Sequence, residues 1–497
     1  MRRTKILATV GPATSTVALQ VELIRAGADA FRLNFSHGTD EEHRTTLRRL
    51  RAAERQSGRE VAIVADVQGP KLRIGDLLGG SVTLARGHRW TLDRSRAPGD
   101  VDRVGVELPS FATAARPGDP VLLGDGNVEL VVRSASSTAI STEVTSGGTL
   151  RSHAGLFLPR AHLSTSVLGP KDRRDAQIGV EEGADFLALS FVRDARDVEG
   201  ARRWLDALPD GKRVGLIAKI ERAEALEQIE GILAVADGIM VARGDLGIEV
   251  PLERLALEQK SLVRRANVAG RFVIVATQML LSMLSSPRPT RAEATDVANA
   301  VLDGADAVML SEESAVGQYP VESVRWLDRI ALATEPALDP TALRARVASG
   351  PAGTSGERSV AAAAVELAER SGADAIVTPT HSGRTARLVA AFRPACPVLA
   401  LSSLAETRRR LALVNGVVAR ENPPHRRLDE LRGLAVEVSR REPFGQEGPL
   451  VLTAGYPVEG RPTNLVTVVD PREFPRATKG PSRARRARGR VRATVGR

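Results

Sequence analysis

The run Leu216-Ile217-Ala218-Lys219-Ile220-Glu221 is an apolar segment of β type that ends in charge, and Met240-Val241-Ala242-Arg243-Gly244-Asp245 repeats the pattern. In parallel α/β proteins the carboxyl ends of strands face a ligand pocket rather than the core. One lysine and two carboxylates at that face can hold a divalent metal and an anionic substrate. The two runs therefore predict a parallel α/β fold with an anion and metal site.

Eight such apolar runs alternate with amphipathic segments, mostly at intervals of roughly 25 to 35 residues. They span residues 6–10, 30–35, 61–66, 186–191, 214–220, 238–242, 272–276 and 307–310. A count of eight favours a (β/α)8 TIM barrel over a doubly wound open sheet. We predict that this barrel comprises residues 1–69 and 168–348.

The regular spacing is interrupted once and then ends. Residues 70–167 contain short alternating segments separated by Gly turns, which predicts a small all-β domain inserted at the functional end of the barrel. After a linker near 349–356, residues 357–470 contain five further strand candidates, at 375–378, 398–401, 417–419, 450–453 and 465–469, typical of a C-terminal α/β domain. Residues 471–497 lack apolar periodicity and are expected to be disordered.

Charge is unevenly distributed along the chain. The whole sequence carries +10, but residues 472–497 hold ten Lys or Arg and one Glu, so residues 1–471 carry only +1. Only seven of the 70 basic residues are Lys. Because an ammonium is a compact point charge that a guanidinium does not replace, Lys71 and Lys219, both near strand ends, are candidates for chemistry.

The composition also limits the compartment. The single cysteine, Cys396, excludes an internal disulfide and is typical of a cytoplasmic protein. No apolar run approaches the roughly 20 residues of a membrane span, so we expect no membrane partner.

Polar residues follow six of the eight barrel runs. They are Arg32, Asn34, Ser36 and His37; Asp66, Lys71 and Arg73; Lys219 and Glu221; Arg243, Gly244 and Asp245; Thr277; and Ser311 and Glu313. Such a density of polar groups is costly to bury unless the groups are paired or ligated. Six runs that end in this way indicate an active site rather than ordinary surface loops.

The charges suggest roles for these groups. Glu221 and Asp245 are hard oxygen ligands suited to Mg²⁺ or Mn²⁺. An acid/base pair of the glycosidase type is the alternative, but the intervening Lys219 and nearby Arg32 and Arg73 favour an anionic, phosphorylated substrate. There is no Walker A motif and no GxGxxG after a strand, so any nucleotide must bind by another architecture.

The motifs resemble one known family. TKILATVGPAT (4–14), FRLNFSHG (31–38), AKIE (218–221), MVARGDLGIEVP (240–251), ATQML (276–280) and PRPTRAEATDVANAVLDGADAVMLSEES (287–314) are similar to pyruvate kinase segments, in order and in register. The resemblance covers about residues 4–470. It implies phosphoryl transfer from phosphoenolpyruvate to ADP, giving pyruvate and ATP in glycolysis, a requirement for Mg²⁺ or Mn²⁺, and a homotetramer.

The resemblance also implies roles residue by residue. Lys219 is similar to the lysine that stabilises the phosphoryl group in flight, and Glu221 and Asp245 to the metal ligands. The remaining assignments are Gly244, Asp245 and Thr277 for the substrate carboxylate; Arg32 for the phosphate; Asn34, His37 and Arg73 for nucleotide; Asn34, Ser36, Asp66 and Lys71 for the monovalent-cation region; and Ser311 and Glu313 for a polar relay near the enolate. The proton donor is left open.

The turn after the third run departs from the family pattern. DTKGPEIR is common, and this chain has DVQGPKLR, so Val67 removes a hydroxyl and Lys71 replaces an acid. Members with this lysine resemble the K⁺-independent group, in which an ammonium takes the ion's electrostatic role. We therefore expect activity without K⁺; a solvated turn lysine is the alternative.

Two further departures concern nucleotide use. The family's inserted domain has a Lys before Gly-Val-Asn-Leu-Pro, whereas this chain has Ala154 before Gly155, so Arg151 or His153 would have to substitute and nucleotide preference is open. The usual MLSGETA has become MLSEESA. A related protein with weakened or altered nucleotide use is therefore an alternative. A pyruvate-forming aldolase is disfavoured, because it leaves the phosphate-facing arginines unexplained.

Two features lie outside the barrel. The segment Thr380-His381-Ser382-Gly383-Arg384-Thr385 follows a strand, opens a helix and resembles the loop that binds a phosphorylated activator, with residues 456–463 as the opposing loop. A plain βα turn is the alternative. The basic tail predicts an added nucleic-acid or anionic-surface role that is weak and salt-sensitive, since it has no interleaved aromatic residues.

Overall fold

The computed structural model describes residues 1–106, 115–124, 126–159, 166–348, 356–422, 427–444, 448–455 and 463–474. The first part of the chain contains β1 (Lys5–Val10), α1 (Val17–Ala26), β2 (Ala30–Asn34), α2 (Asp40–Ser57) and β3 (Ala62–Asp66). The inserted segment contains β4 (Ser81–Leu84), β5 (Arg89–Asp93), β6 (Arg103–Gly105), β7 (Pro120–Leu123), β8 (Val128–Ala135), β9 (Ile140–Ser146), β10 (Gly148–Arg151) and β11 (Leu156–Phe157).

The chain then returns to the first unit. It forms α3 (Pro170–Glu181), β12 (Phe186–Leu189), α4 (Ala195–Asp206), β13 (Gly215–Ile220), α5 (Ala223–Glu227), α6 (Ile229–Val235), β14 (Gly238–Ala242), α7 (Arg243–Glu249), α8 (Leu255–Ala269), β15 (Phe272–Ala276), α9 (Arg291–Asp303), β16 (Ala307–Leu310), α10 (Glu312–Ala315) and α11 (Pro320–Thr334). The last part contains α12 (Pro340–Ala348), α13 (Gly356–Ser371), β17 (Ala375–Pro379), α14 (Arg384–Ala391), β18 (Val398–Ser402), α15 (Ala405–Leu411), β19 (Val417–Glu421), α16 (Leu428–Ser439), β20 (Leu450–Ala454) and β21 (Leu465–Val469).

The eight predicted runs form one closed parallel barrel, in the order β1-β16-β15-β14-β13-β12-β3-β2. This confirms the TIM barrel and excludes the open sheet. The strands are buried on both faces, because helices cover the outside and side chains fill the inside. The polar residues that follow the strands therefore meet at one mouth of the barrel.

The inserted segment forms a separate small β unit between β3 and α3. Its sheets have the orders β11-β7-β8-β9-β5-β6 and β10-β4, around a core that includes the fully buried Trp90. The C-terminal unit is a five-stranded sheet, β19-β18-β17-β20-β21, in which only β21 is antiparallel. The residue numbers of the predicted domain boundaries stay predictions.

An Ala-Asp pair comes immediately before each of four barrel strands, β2, β12, β14 and β16. The Asp carboxylates accept hydrogen bonds of 2.8 to 3.0 Å from the backbone of the preceding strand: Asp29 from Ile6, Asp185 from Ile63, Asp237 from Leu216, and Asp306 from Val273. Two of these aspartates, Asp185 and Asp306, also pair with Arg409 and Arg393 of the C-terminal unit. The C-terminal unit is thereby attached to the amino-terminal end of the barrel, away from the mouth.

Local signals agree with the structure at α9. Thr290 accepts a hydrogen bond from the Glu293 amide while Glu293 accepts one from the Thr290 amide, and Gly304 ends the helix with φ +96°. In the described ranges, no helix combines the length and the apolar character that crossing a bilayer requires. The linker residues 349–355 and the tail residues 475–497 lie outside the described residues, and Pro471–Glu473 form a 3₁₀ turn.

Candidate active site

Lys219 lies at the centre of the barrel mouth, at the end of β13. Its ammonium is 2.7 Å from the Ser190 hydroxyl, 2.9 Å from a Glu221 carboxylate oxygen and 3.2 Å from an Asp66 carboxylate oxygen. Burial alone would lower the pKa of Lys219, but Asp66 and Glu221 outweigh it, and the pKa lies above the ordinary value. Lys219 is therefore a fixed and permanently charged cation.

Asp66 connects Lys219 to Arg32. The Arg32 guanidinium donates to the other Asp66 oxygen at 2.6 Å and to Thr9 at 3.3 Å. Burial would raise the pKa of Asp66, but the two cations hold it below its ordinary range. Asp66 thus positions two cations side by side at the barrel mouth.

Glu221 and Asp245 are the two carboxylates that could hold a metal. Glu221 is buried and accepts the Phe191 amide at 2.7 Å. Its pKa is raised by burial and by the like charge of Asp245, against the opposing effect of Lys219. A divalent cation would offset both the burial of the Glu221 charge and its repulsion from Asp245. The two carboxylates therefore fit a divalent cation. No cluster of three or more His, Cys, Asp or Glu suited to a metal occurs in the described ranges, so a cation here would need oxygens from substrate or water.

Lys71, in the turn after β3, connects the inserted domain to Asp245. Its ammonium donates to Asp245 at 2.8 Å and lies 5.3 Å from the Phe157 ring of the inserted domain. Within the described part of the chain, Lys71 forms no hydrogen bond or ion pair with the side chains of Asn34, Ser36 or Asp66. The assignment of these residues to a monovalent-cation region stays a prediction.

Gly244 and Thr277 are joined across two strand ends. The Gly244 amide donates to the Thr277 hydroxyl at 2.8 Å, and Thr277 has φ +71°. Arg243 fixes this bend, because its guanidinium donates to the carbonyls of Ala276 and Thr277 and pairs with Asp296. A β-branched residue in this backbone region is strained and is held only by such surroundings.

Glu313 does not point a free carboxylate into the site. It is 1 % exposed, and its two oxygens accept the amides of Ser311, at 2.7 Å, and Leu280, at 3.0 Å. The contacts therefore give Glu313 the task of positioning Ser311.

Two cavities meet at Ser311. One of about 860 Å³ is lined by Lys71, Gly244, Asp245 and Thr277. The other, of about 850 Å³, is lined by Arg32, Asn34, His37 and Arg49 among others. The mouth can therefore hold two ligands on either side of Ser311.

Two residues considered for nucleotide contacts have partners within the inserted domain. Arg73 donates to the His153 carbonyl at 3.0 Å. His153 pairs with Asp76 at 3.0 Å. The structure therefore gives Arg73 and His153 partners inside the inserted domain.

The predicted effector loop precedes α14. Thr380 accepts the Gly383 amide, Arg384 pairs with Glu357 at 2.7 Å, and Thr385 is 2.8 Å from Thr463. Ser382 is exposed. Of the opposing loop, residues 456–462 lie outside the described residues.

Sequence reasoning missed Ser190, Arg243 and Asp172. Ser190 directly follows β12, at the end of the fourth run. A polar residue at that strand end was a usable signal, although it was assigned no role from the sequence. Arg243 was noted in its run but given no task. Asp172 lies in α3, where its position indicates a cap for its own helix but not its bond to Gly69.

Two family models match the chain: "Pyruvate kinase, barrel domain" over residues 1–324 and "Pyruvate kinase, alpha/beta domain" over residues 358–469. A pyruvate kinase of Geobacillus stearothermophilus is 43% identical over 474 residues, which is 94% of this chain and 80% of the relative. One from Agrobacterium vitis is 42% identical over 468 residues, or 92% and 95% of the two chains. The crystal structure of a pyruvate kinase from Cryptosporidium parvum superposes with a TM-score of 0.89 at 33% identity, covering 94% of this chain and 96% of that one.

Proposed function

This chain belongs to the pyruvate kinase family and is a phosphotransferase, and on that premise we propose that its barrel mouth transfers the phosphoryl group of phosphoenolpyruvate to ADP. The products are pyruvate and ATP. The observation that carries the proposal is Lys219, a buried ammonium held by Ser190, Asp66 and Glu221 at the ends of parallel strands. Such a fixed cation stabilises charge on a phosphoryl group without reorganising.

Mg²⁺ or Mn²⁺ fits the two carboxylates, and Glu221 and Asp245 would hold it. When bound, the ion supplies positive charge to the phosphate oxygens and orients the phosphoryl group. With two carboxylates as its protein ligands, the ion would have further positions for phosphate and water, as Mg²⁺ sites usually do.

The remaining residues position and neutralise the substrates. The amides near the start of α7, with Thr277, cradle the substrate carboxylate in the cavity lined by Gly244 and Asp245. The phosphoryl group lies between Lys219 and Arg32. The bond from phosphorus to the enol oxygen breaks as a terminal oxygen of ADP attacks, and ADP occupies the cavity lined by Asn34 and His37.

The enolate that leaves must take up a proton at carbon. Ser311 lies between the two cavities, and Glu313 holds its amide. We assign Ser311 to the proton path, with water as the ultimate source, and Glu313 to its positioning.

Replacing Lys219 by Met tests the function directly. We expect pyruvate release from phosphoenolpyruvate and ADP to fall on the order of 10³-fold, because a methyl group cannot stabilise the phosphoryl charge. Lys212→Met, at an exposed lysine, is the matched control and should retain activity. The proposal fails if the unmodified protein releases no pyruvate with ADP or GDP, or if Lys219→Met retains its rate. Comparing the rates with ADP and with GDP also measures the nucleotide preference of a chain that has Ala154 where the family has a lysine.

We further propose that turnover does not require K⁺. The Lys71 ammonium, 2.8 Å from Asp245, places at the barrel mouth a positive charge that a bound K⁺ would otherwise supply. Lys71→Glu should create a requirement for K⁺, whereas Lys212→Glu, the same charge change at an exposed site, should not. The assay compares rates in potassium and tetramethylammonium salts, and strong activation of the unmodified enzyme by K⁺ would contradict the proposal.

Other properties of the family are proposed for this chain on the same premise. They are a homotetrameric assembly, regulation by a phosphorylated effector at Thr380–Thr385, and a cytoplasmic location. Light scattering after gel filtration tests the assembly. Titration with sugar phosphates and AMP tests regulation, and a flat response to all of them would remove it.

A further inference from the structure

Asp172 connects the two chain crossings between the barrel and the inserted domain. It is the third residue of α3 and is 5 % exposed. One carboxylate oxygen accepts the Gly169 amide at 2.9 Å, and the other accepts the Gly69 amide at 2.9 Å. The chain leaves the barrel just after Gly69 and returns to it just before Gly169.

The first of these bonds is ordinary and the second is not. A carboxylate at the third helical position commonly caps the start of its own helix. The bond to Gly69 joins residues 103 positions apart. It gives a hydrogen-bond acceptor to a backbone amide that lies in a turn after β3 rather than in a strand. One buried carboxylate thus holds both crossings at a fixed separation.

Gly69 transmits this position to Lys219. It has φ +67°, and a Cβ atom there would lie 2.9 Å from the Ser190 Cβ, so the turn rests directly on Ser190. The Ser190 hydroxyl donates to the Val67 carbonyl and accepts from Lys219, each at 2.7 Å. A shift of the chain at Gly69 would therefore move Ser190, which accepts a hydrogen bond from Lys219.

Gly69 also transmits its position to the metal ligand Asp245. Its carbonyl accepts the Lys71 amide at 2.9 Å, and the Lys71 ammonium donates to Asp245. The stem of Lys71 packs under the inserted domain, with its Cε 3.4 Å from a Cβ placed on Gly155. The orientation of the inserted domain and the charge next to Asp245 are therefore set at the same turn.

We propose that Asp172 is a positioning residue for phosphoryl transfer, which clamps both crossings and thereby fixes the inserted domain, Ser190 and Lys71 relative to Lys219. The inference rests on the proposed function, because the positioning matters only if Lys219 performs the chemistry. It assigns to one carboxylate the separation of the two crossings that carry the inserted domain.

Asp172→Asn tests the clamp with little change in shape, since its amide nitrogen cannot accept a hydrogen bond from a backbone N–H. Asp194→Asn is the control for the same change at a helix start, because one Asp194 oxygen accepts two backbone amides that both belong to its own helix, α4. Hydrogen exchange followed by mass spectrometry reports the crossings without using activity. We expect amides in peptides covering 67–73 and 166–170 to exchange about tenfold faster or more in Asp172→Asn, with the body of α3 unchanged.

Kinetics supply the second readout. We expect kcat to fall about tenfold in Asp172→Asn with a smaller change in KM for phosphoenolpyruvate, and neither to change in Asp194→Asn. Unchanged exchange at the crossings, an unchanged kcat, or an equal loss in both variants would overturn the inference. If the unmodified protein makes no pyruvate but the crossings still loosen, the function fails and the clamp survives, so the two failures are distinguishable.

Discussion

Glu249 lies at the opposite end of α7 from Asp245 and shows how burial acts on a single group. Its side chain is 1 % exposed, and the nearest cation, Arg222, is 3.7 Å away. Burial raises the pKa of Glu249 from 4.5 to about 7. Because Arg222 follows Glu221 directly, this pair joins the two elements that carry the carboxylates of the site.

We predict that Glu249→Gln changes the pH dependence of stability. An acid whose pKa is higher in the folded than in the unfolded state loses stabilisation as pH rises from about 4.5 to about 7. The neutral amide avoids this loss, so the variant should gain about 3 kcal/mol relative to the unmodified protein between pH 4.5 and 8. Urea unfolding of the metal-free proteins across that range measures the difference, and Glu253→Gln, at an exposed glutamate, is the control. A difference that does not vary with pH would contradict the prediction.

At the scale of elements, the Ala-Asp pairs at the starts of β2, β12, β14 and β16 do unequal work. The Asp237 carboxylate accepts the Leu216 amide at 2.9 Å. Asp306 accepts the Val273 and Asn415 amides and pairs with the buried Arg393 at 3.0 Å. Asp237 therefore links two neighbouring barrel strands, whereas Asp306 also links the barrel to the C-terminal unit.

We predict that Asp306→Asn destabilises the protein by about 2 kcal/mol more than Asp237→Asn, because it leaves a buried guanidinium without its charge partner. Both changes keep the shape of the side chain, so each serves as the other's control. Midpoints of urea unfolding provide the comparison. Equal shifts would show that the pairing with Arg393 contributes no net stability.

At the scale of the whole molecule, most of the net charge is carried by the C-terminal tail rather than by the residues of the barrel mouth. Residues 475–497, which lie outside the described residues, hold nine Lys or Arg and no acid, so their removal lowers the net charge from +10 to +1. The barrel mouth, by contrast, balances Lys219 and Arg32 against Asp66 and Glu221.

We predict that deleting residues 475–497 abolishes retention on a DNA column at low salt and leaves kcat unchanged, since phosphate neutralisation is the term lost. Retention of the full chain should disappear as salt rises. A truncated enzyme with altered kcat would show that the tail acts on the site, and one that is still retained would place the anion-binding surface elsewhere.

Much of the fold was predictable because its signals are local. The capping residues Thr290 and Glu293 and the apolar runs specify α9 and the barrel strands wherever they lie in the chain. Strand-end polarity likewise predicted Lys219 with Glu221, because residues two positions apart at the end of an extended segment point to the same side. The placement of Lys71 was not predictable from its turn, and the roles of the site residues stay predictions.

The sequence by itself determined the eight strands, their helices and the residues delivered to the barrel mouth, since periodicity, capping and strand ends are properties of neighbouring residues. Only the tertiary structure decided which of those residues meet. Lys71 reaches Asp245 across 174 positions, Asp172 reaches Gly69 across 103, and Glu313 turns its oxygens to the amides of Ser311 and Leu280. Barrel closure and strand register set these pairings, and a buried charge takes the partner that closure brings within reach.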